Sequence, residues 1–215
     1  MLTVWEAIVL RRSVRRFTPD DVSDDIIKQL LEAARLAPSG HNMQPWRFVV
    51  VRDKKIKREL RRLYMDQEDI EEAPVVFVCL VDMERFSPEE EKKRMQQFIE
   101  LGLHKEMTGK FAELEFNEAM MNNWRRMPLE AIRAVGMASV NIAVEHMALL
   151  ATALGLGTCW KGSVSNSEEV RRILGLPEHL IPCALLTLGY PAETPSPRPR
   201  YSFDEILARP LPKHK

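Results

Sequence analysis

The stretch AIRAVGMASVNIAVEHMALLATALGLG, from Ala131 to Gly157, constrains the fold of this chain more than any other. It is long and mostly apolar, so either a bilayer or protein must cover it. Arg133, Asn141, Glu145 and His146 interrupt it, and each would be costly in hydrocarbon. The segment therefore reads as a buried helix. Gly136, Ala138, Ser139 and Ala143 keep it slim enough for a second helix to approach closely.

The rest of the composition suits a soluble globular protein. The chain has 215 residues, 45% of them hydrophobic, enough for one sizeable core. Its 31 Lys and Arg are balanced by 31 Asp and Glu, which argues against a general nucleic-acid-binding surface. Cys79, Cys159 and Cys183 form neither a CxxC zinc pattern nor a disulfide framework, so a reducing cytoplasm is the simplest home. The opening MLTVWEAIVL carries Glu6 inside its apolar run and no small-residue cleavage site after it, unlike a signal peptide. The reading is a cytoplasmic protein with neither nucleic acid nor membrane as partner.

Helical and strand-like patterns alternate along the chain. Thr3 to Leu10 reads as a short helix with Val4, Trp5 and Ile8 on an apolar side. A second helix starts at Ser23 and is closed by Pro38. Trp46–Asp53 and Ala73–Asp82 read as strands, the latter buried on both faces. Between them KKIKRELRRLYMDQEDI has helical spacing. Met83 to Leu129 is charged, partly helical and rich in Met and aromatic residues. After the buried helix come a Gly-punctuated strand, GLGTCWKGSV, a short helix with Ser167 as its cap, and a strand from Ile181 to Tyr190. A proline-rich exit, PAETPSPRPR, leads into SFDEIL. The class is α/β or α+β with a mixed sheet.

Conventional catalytic patterns are missing. His41, His104, His146, His179 and His214 have no HxxxH or HExxH spacing, so no metal is expected. Ser163 has no GxSxG elbow, and no base for Cys159 is identifiable. GTCWKGS has P-loop-like glycine spacing without the lysine that such a loop needs. Its glycines mark either a tight helix-to-strand connection or a cofactor loop. In RRSVRRF, Arg11, Arg12, Ser13 and Arg15 could clamp one phosphate through guanidinium forks and a hydroxyl. The same run could equally be a solvated basic face.

Four separated motifs, RRSVRRF (Arg11–Phe17), APSGHNMQPWRFVVV (Ala37–Val51), GLGTCWKG (Gly155–Gly162) and LGYPAETPSPRPR (Leu188–Arg200), resemble the nitroreductase family of FMN-dependent oxidoreductases. They come in family order and span nearly the whole chain, with the poorest match between Met83 and Leu129. The resemblance implies an α+β fold: a mixed, mainly antiparallel sheet flanked by helices, in an obligate homodimer with a long central helix at the contact. Residues 1–215 would form a single FMN-binding domain, with 83–129 a variable helical lid insert.

The resemblance also implies a division of labour. Arg11, Arg12, Ser13 and Arg200 would hold the FMN phosphate, and Arg15 would reach the N1/O2 edge of the ring. Pro38, Ser39, Gly40 and Asn42 would contact the flavin from the partner chain. Trp160, Lys161 and Gly162 would pass the ring near N5, mostly through backbone groups; Lys161-Gly162 replaces an acidic residue that many relatives carry near this loop. NADH or NADPH would reduce the flavin in a ping-pong cycle and a nitroaromatic, quinone or similar acceptor would reoxidise it, with no catalytic side chain required. His41, Phe111, Phe116 and Trp124 are candidate acceptor contacts, although aromatic residues at such spacing can equally pack the insert against the body. Two alternatives stand beside this one. The first is a specialised flavoenzyme, reductive dehalogenase-like or flavin-fragmenting, although the dehalogenase Glu…Tyr…Lys lid set is not found. The second is a non-catalytic flavin-binding protein.

Overall fold

Side-chain caps start most of the helices. The computed structural model describes residues 2–103, 127–162, 164 and 166–209. Thr3 and Glu6 form a reciprocal capping box at the head of α1 (Val4–Leu10), and Ser23 caps α2 (Asp24–Arg35). Asp53 caps α3 (Lys54–Leu63), and Ser87, followed by Pro88, caps α5 (Pro88–Glu100). The short α4 (Asp69–Glu72) lies between α3 and the strand β2 (Val75–Asp82). The long helix α6 (Leu129–Ala153) precedes β3 (Gly157–Lys161), α7 (Ser167–Leu174), β4 (Leu180–Gly189) and α8 (Phe203–Ile206). The first strand, β1, is Trp46–Val51.

Two expectations about helix ends are corrected. The cap of α7 is Asn166, whose side chain accepts from the Glu169 N–H at 3.0 Å, rather than Ser167. The helical pattern from Lys54 to Ile70 is broken into α3 and α4 by a turn in which Met65 and Asp66 both take left-handed backbone angles, φ 53°. Helical periodicity alone carries no signal of that break.

The four strands lie in the order β1-β2-β4-β3, all antiparallel. Ser13 adds an isolated parallel bridge to Thr158, which makes the sheet mixed. Strand β2 is buried throughout, and its side chains alternate between two cores. Val75, Phe77, Cys79 and Val81 pack with α2 and α6; Val76, Val78 and Leu80 pack with Leu60, Ile70 and Val170 on the other side. The sheet is thus covered by helices on both faces, as expected for an α+β fold of this kind.

Among the described residues α6 is the one helix long and apolar enough to cross a membrane. Here it packs on α2, α1 and the sheet. Its buried residues, Gly136, Ser139, Val140, Ala143, Val144, Met147, Ala148 and Ala151, form one stripe. Met137 and Ile142 lie on the open side, 37% and 42% exposed. The expectation of a fully buried helix is therefore met on one face only within a single chain. Gly136 is approached by the Val81 and Phe86 side chains rather than by a second helix. The apolar side of α1 is likewise open, with Trp5 72% exposed.

Gly157 sets how closely the N-terminal segment approaches the sheet. A Cβ there would lie 2.8 Å from Val14 Cβ and 2.9 Å from both of its γ carbons. Valine is stiff at χ1 and cannot swing clear. Gly157→Ala is therefore expected to cost about 1–3 kcal/mol. The urea midpoint should fall at unchanged m value; an unchanged midpoint would mean that Val14 moves aside freely.

Candidate functional site

The arginine run is laid against β3 by its alternation with a valine. Val14 is buried and its N–H donates to the Thr158 carbonyl at 2.9 Å. Ser13 and Arg15, on either side of it, face the opposite way, as extended backbone requires. The proline-rich exit runs alongside and holds the run in place. Thr18 N–H donates to the Tyr190 carbonyl, Ala192 N–H to the Arg16 carbonyl, and Glu193 Oε1 accepts the N–H groups of Arg15 (2.6 Å) and Arg16 (3.2 Å). This pairing of chain ends brings Arg198 and Arg200 to Arg11, Arg12, Ser13 and Arg15 around a cavity of about 550 Å³.

The charge in that cavity is largely unopposed. Arg11 lies 3.5 Å from Glu145 Oε1 of α6. Arg12 donates to the carbonyls of Val9 and Arg11, Arg15 to that of Ser13, and Arg200 to those of Arg198 and Pro199. Among the described residues no carboxylate pairs with the side chains of Arg12, Arg15, Arg198 or Arg200. Guanidinium groups cannot shed their protons, so a bound anion is the chemical means of relieving their repulsion. Arg16 does not line this cavity.

Arg15 also borders a second cavity of about 460 Å³, lined by Leu63, Tyr64, Met65, Gln67, Cys159, Trp160, Lys161 and Gly162. Two buried donors in its wall, Trp160 Nε1 and Tyr64 Oη, have no hydrogen-bond partner. Burial raises the Tyr64 phenol above its ordinary pKa, with smaller contributions from Cys79 and Cys183, so it stays an O–H. Unpaired buried donors are costly, but both atoms are closed off from solvent and lie behind the cavity surface.

Lys161 is not the open charge that its place in the motif suggests. Its side chain is 6% exposed, and Nζ lies 2.9 Å from Asp69 Oδ1, 2.8 Å from Asp69 Oδ2 and 2.6 Å from Gln67 Oε1. The Cys159 sulfur lies 3.3 Å away. The hydrogen bond to Asp69 goes to Oδ1, and Oδ2 takes charge contact alone. The α3–α4 turn thus supplies three neighbours, Tyr64, Gln67 and Asp69, that the motifs do not point to. Glu193 was missed for a similar reason: it acts on backbone groups, which carry no sequence signal.

Pro38, Ser39, Gly40, His41 and Asn42 line neither cavity. They form a strained turn in which His41, Asn42 and Gln44 take φ of 49°, 51° and 48°, each costing roughly 1–2 kcal/mol. The Ser39 hydroxyl accepts from Gln44 N–H at 2.9 Å, and Arg85 Nε donates to the Met43 carbonyl at 3.2 Å, which helps to hold the turn. Phe111, Phe116 and Trp124 lie outside the described residues. Elsewhere, Asp82, Glu84 and His179 converge to within 4.8 Å, but Asp82 is already bound by Arg47 at 2.7 Å.

The sequence model of the nitroreductase family matches residues 8–190. The chain belongs to the nitroreductase family. A relative from Thermus thermophilus named NADH dehydrogenase is 37% identical over 207 residues, covering 96% of each chain. A Bacillus subtilis relative named FMN reductase [NAD(P)H] is 29% identical, covering 96% of this chain and 73% of its own. Among solved structures, a family protein from Streptococcus pneumoniae superposes with a TM-score of 0.77 at 25% identity, covering 97% of this chain and all of its own. A protein from Exiguobacterium sibiricum, assigned as a nitroreductase and solved in complex with FMN, superposes with a TM-score of 0.81 at 23% identity, covering 98% of each chain. The last likeness speaks to the fold.

The Glu193 tether can be tested directly. Glu193→Ala removes a charged acceptor from two backbone N–H groups and should cost about 1.5–3 kcal/mol, whereas Glu193→Gln, which keeps an acceptor, should cost less. Urea unfolding of the two variants separates these outcomes; equal stability of both with the parent protein would remove the tether from the account.

Proposed function

We propose that this nitroreductase-family chain is an FMN-dependent oxidoreductase that takes electrons from NADH or NADPH and passes them to nitroaromatics, quinones or similar small acceptors. The observation that carries this reading is the pair of cavities joined at Arg15. One is rich in unopposed arginine and suits a phosphate; the other is lined by Tyr64, Trp160 and the Lys161-Gly162 segment and has room for a ring. The names of the Thermus and Bacillus relatives and the FMN complex of the Exiguobacterium protein support the same cofactor and donors.

FMN, when bound, supplies the electron-transfer chemistry. The chain's own residues bind and orient it. Arg11, Arg12, Ser13 and Arg200 hold the phosphate through charge-assisted hydrogen bonds, with Arg198 adding charge at the rim. Arg15, which borders both cavities, would bring its guanidinium to the N1/O2 edge of the ring and favour negative charge there. Trp160, Lys161 and Gly162 present backbone groups along the ring. Donor and acceptor use the open side in turn, so no triad or metal is needed.

The chain works as a homodimer in a reducing cytoplasm. The open apolar faces of α1 (Val4, Trp5, Ile8) and α6 (Met137, Ile142), which pack beside each other, need a cover of protein. The three cysteines are free. In the dimer Pro38, Ser39, Gly40 and Asn42 serve the partner's flavin. The chain serves as one domain in which 83–129 is the variable segment, and His41, Phe111, Phe116 and Trp124 are the acceptor contacts that the family resemblance suggests.

Purified protein should be yellow, release FMN on denaturation, and run at about twice the chain mass in light scattering. Anaerobic NADH or NADPH should bleach it; a flavin that neither reduces would exclude the proposed turnover. Arg15→Ala should lower the flavin midpoint potential more than it weakens binding, and an unchanged potential would remove Arg15 from the ring edge.

A further inference from the structure

The buried Lys161–Asp69 pair has a consequence for the ring cavity that rests on the flavin reading above. An ammonium has three N–H donors and no acceptor. At Lys161 the neighbours within reach are Asp69 Oδ1 at 2.9 Å, Gln67 Oε1 at 2.6 Å and the Cys159 sulfur at 3.3 Å. All three donors are therefore committed inside the protein. The charge is also matched by Asp69, whose side chain is 4% exposed. Lys161 thus brings little net charge to the cavity and has no donor left for a ligand.

Its effect falls on Gln67. The atom of a carboxamide that faces an ammonium must be the oxygen, because an NH2 group there would set donor against donor. The amide of Gln67 is fixed in one of its two orientations by chemistry. Its Nε2 donates to no other group among the described residues, and Gln67 lines the ring cavity. That wall then carries N–H donors from Gln67 and Arg15. A donor-rich wall of this kind suits a planar ligand with carbonyl oxygens along its edge.

We propose that Lys161, anchored by Asp69, is a positioning residue that holds the Gln67 amide with its N–H2 available to a carbonyl oxygen of the ring ligand. Two ligands of this reaction offer such an oxygen: the flavin at its pyrimidine edge, and a quinone acceptor. Buried ion pairs add little to stability against apolar replacements, so orientation of a neighbour is the use this one serves.

The test uses Gln67→Glu and Lys161→Met in the full chain, reading FMN dissociation constants by fluorescence and the KM for benzoquinone. Gln67→Glu keeps an acceptor for Lys161 but loses the N–H2 and adds a negative charge, so Gln67→Met, which loses the N–H2 without adding charge, is read beside it and must show the same loss. Lys161→Met leaves the amide free to turn. Each should weaken the carbonyl ligand about three- to tenfold, and the double variant no more than the worse single one. A shift in the FMN constant assigns the contact to the flavin; a shift in the quinone KM alone assigns it to the acceptor. Both support the inference. Unchanged values in either Gln67 variant, or additive losses in the double variant, overturn it. Should Lys161→Met fail to fold, the two Gln67 variants decide alone. A parent protein that binds no FMN defeats the functional reading itself, a different result from flavin bound equally well by parent and variant.

Discussion

Val14 rests on the bare Cα of Gly157, and its N–H reaches the Thr158 carbonyl across that contact. The arrangement adds a short parallel segment to the edge of an otherwise antiparallel sheet. It fixes the position of Ser13 and Arg15 to within the tolerance of a close-packed contact. The exit from β4 then lies beside the same segment, so Glu193 can clamp it and the late arginines can close on the early ones. Packing at one glycine thus assembles a cavity from the two ends of the chain.

That assembly places like charges together. Gathering Arg12, Arg15, Arg198 and Arg200 with no carboxylate among them costs free energy in the empty protein, which a phosphate returns when it binds. The buried ion pair at Lys161 follows the opposite principle: its charge is cancelled within the protein and contributes geometry instead. A basic residue in a cofactor motif can therefore be a ligand, as at Arg15, or part of the scaffold, as at Lys161. The difference lies in whether an acid from a distant segment reaches it.

Much of the fold was legible because local signals agreed with one another. Ser23 caps a helix whose apolar spacing already marks it, and the continuous apolar run of β2 matches its burial on both faces. The arginine cluster was legible as an anion site only through the family resemblance of the four motifs, since a lone basic heptapeptide fits a solvated face equally well. Less legible were features made by distant contacts or by backbone. The turn at Met65 and Asp66 brings Tyr64 and Gln67 to the ring cavity and Asp69 to Lys161 behind it, and helical periodicity runs straight through it. Glu193 acts on N–H groups, and Asn166 rather than its neighbour Ser167 caps α7. The long helix was expected to be buried between its own sheet and a partner chain, and a single chain covers one side of it. What covers the other side is a property of assembly, beyond the reach of hydropathy along one chain.

The central claim is that the paired chain ends form a phosphate site attached to a flavin-ring site. Side-by-side calorimetric titration of apoprotein with FMN and with riboflavin tests it most directly, because the two ligands share the ring and differ in the phosphate. Even two charge-assisted hydrogen bonds to the phosphate give about a hundredfold preference. The account predicts FMN tighter than riboflavin by at least that factor, with the gap closing as salt rises. Equal affinities for the two ligands would contradict it.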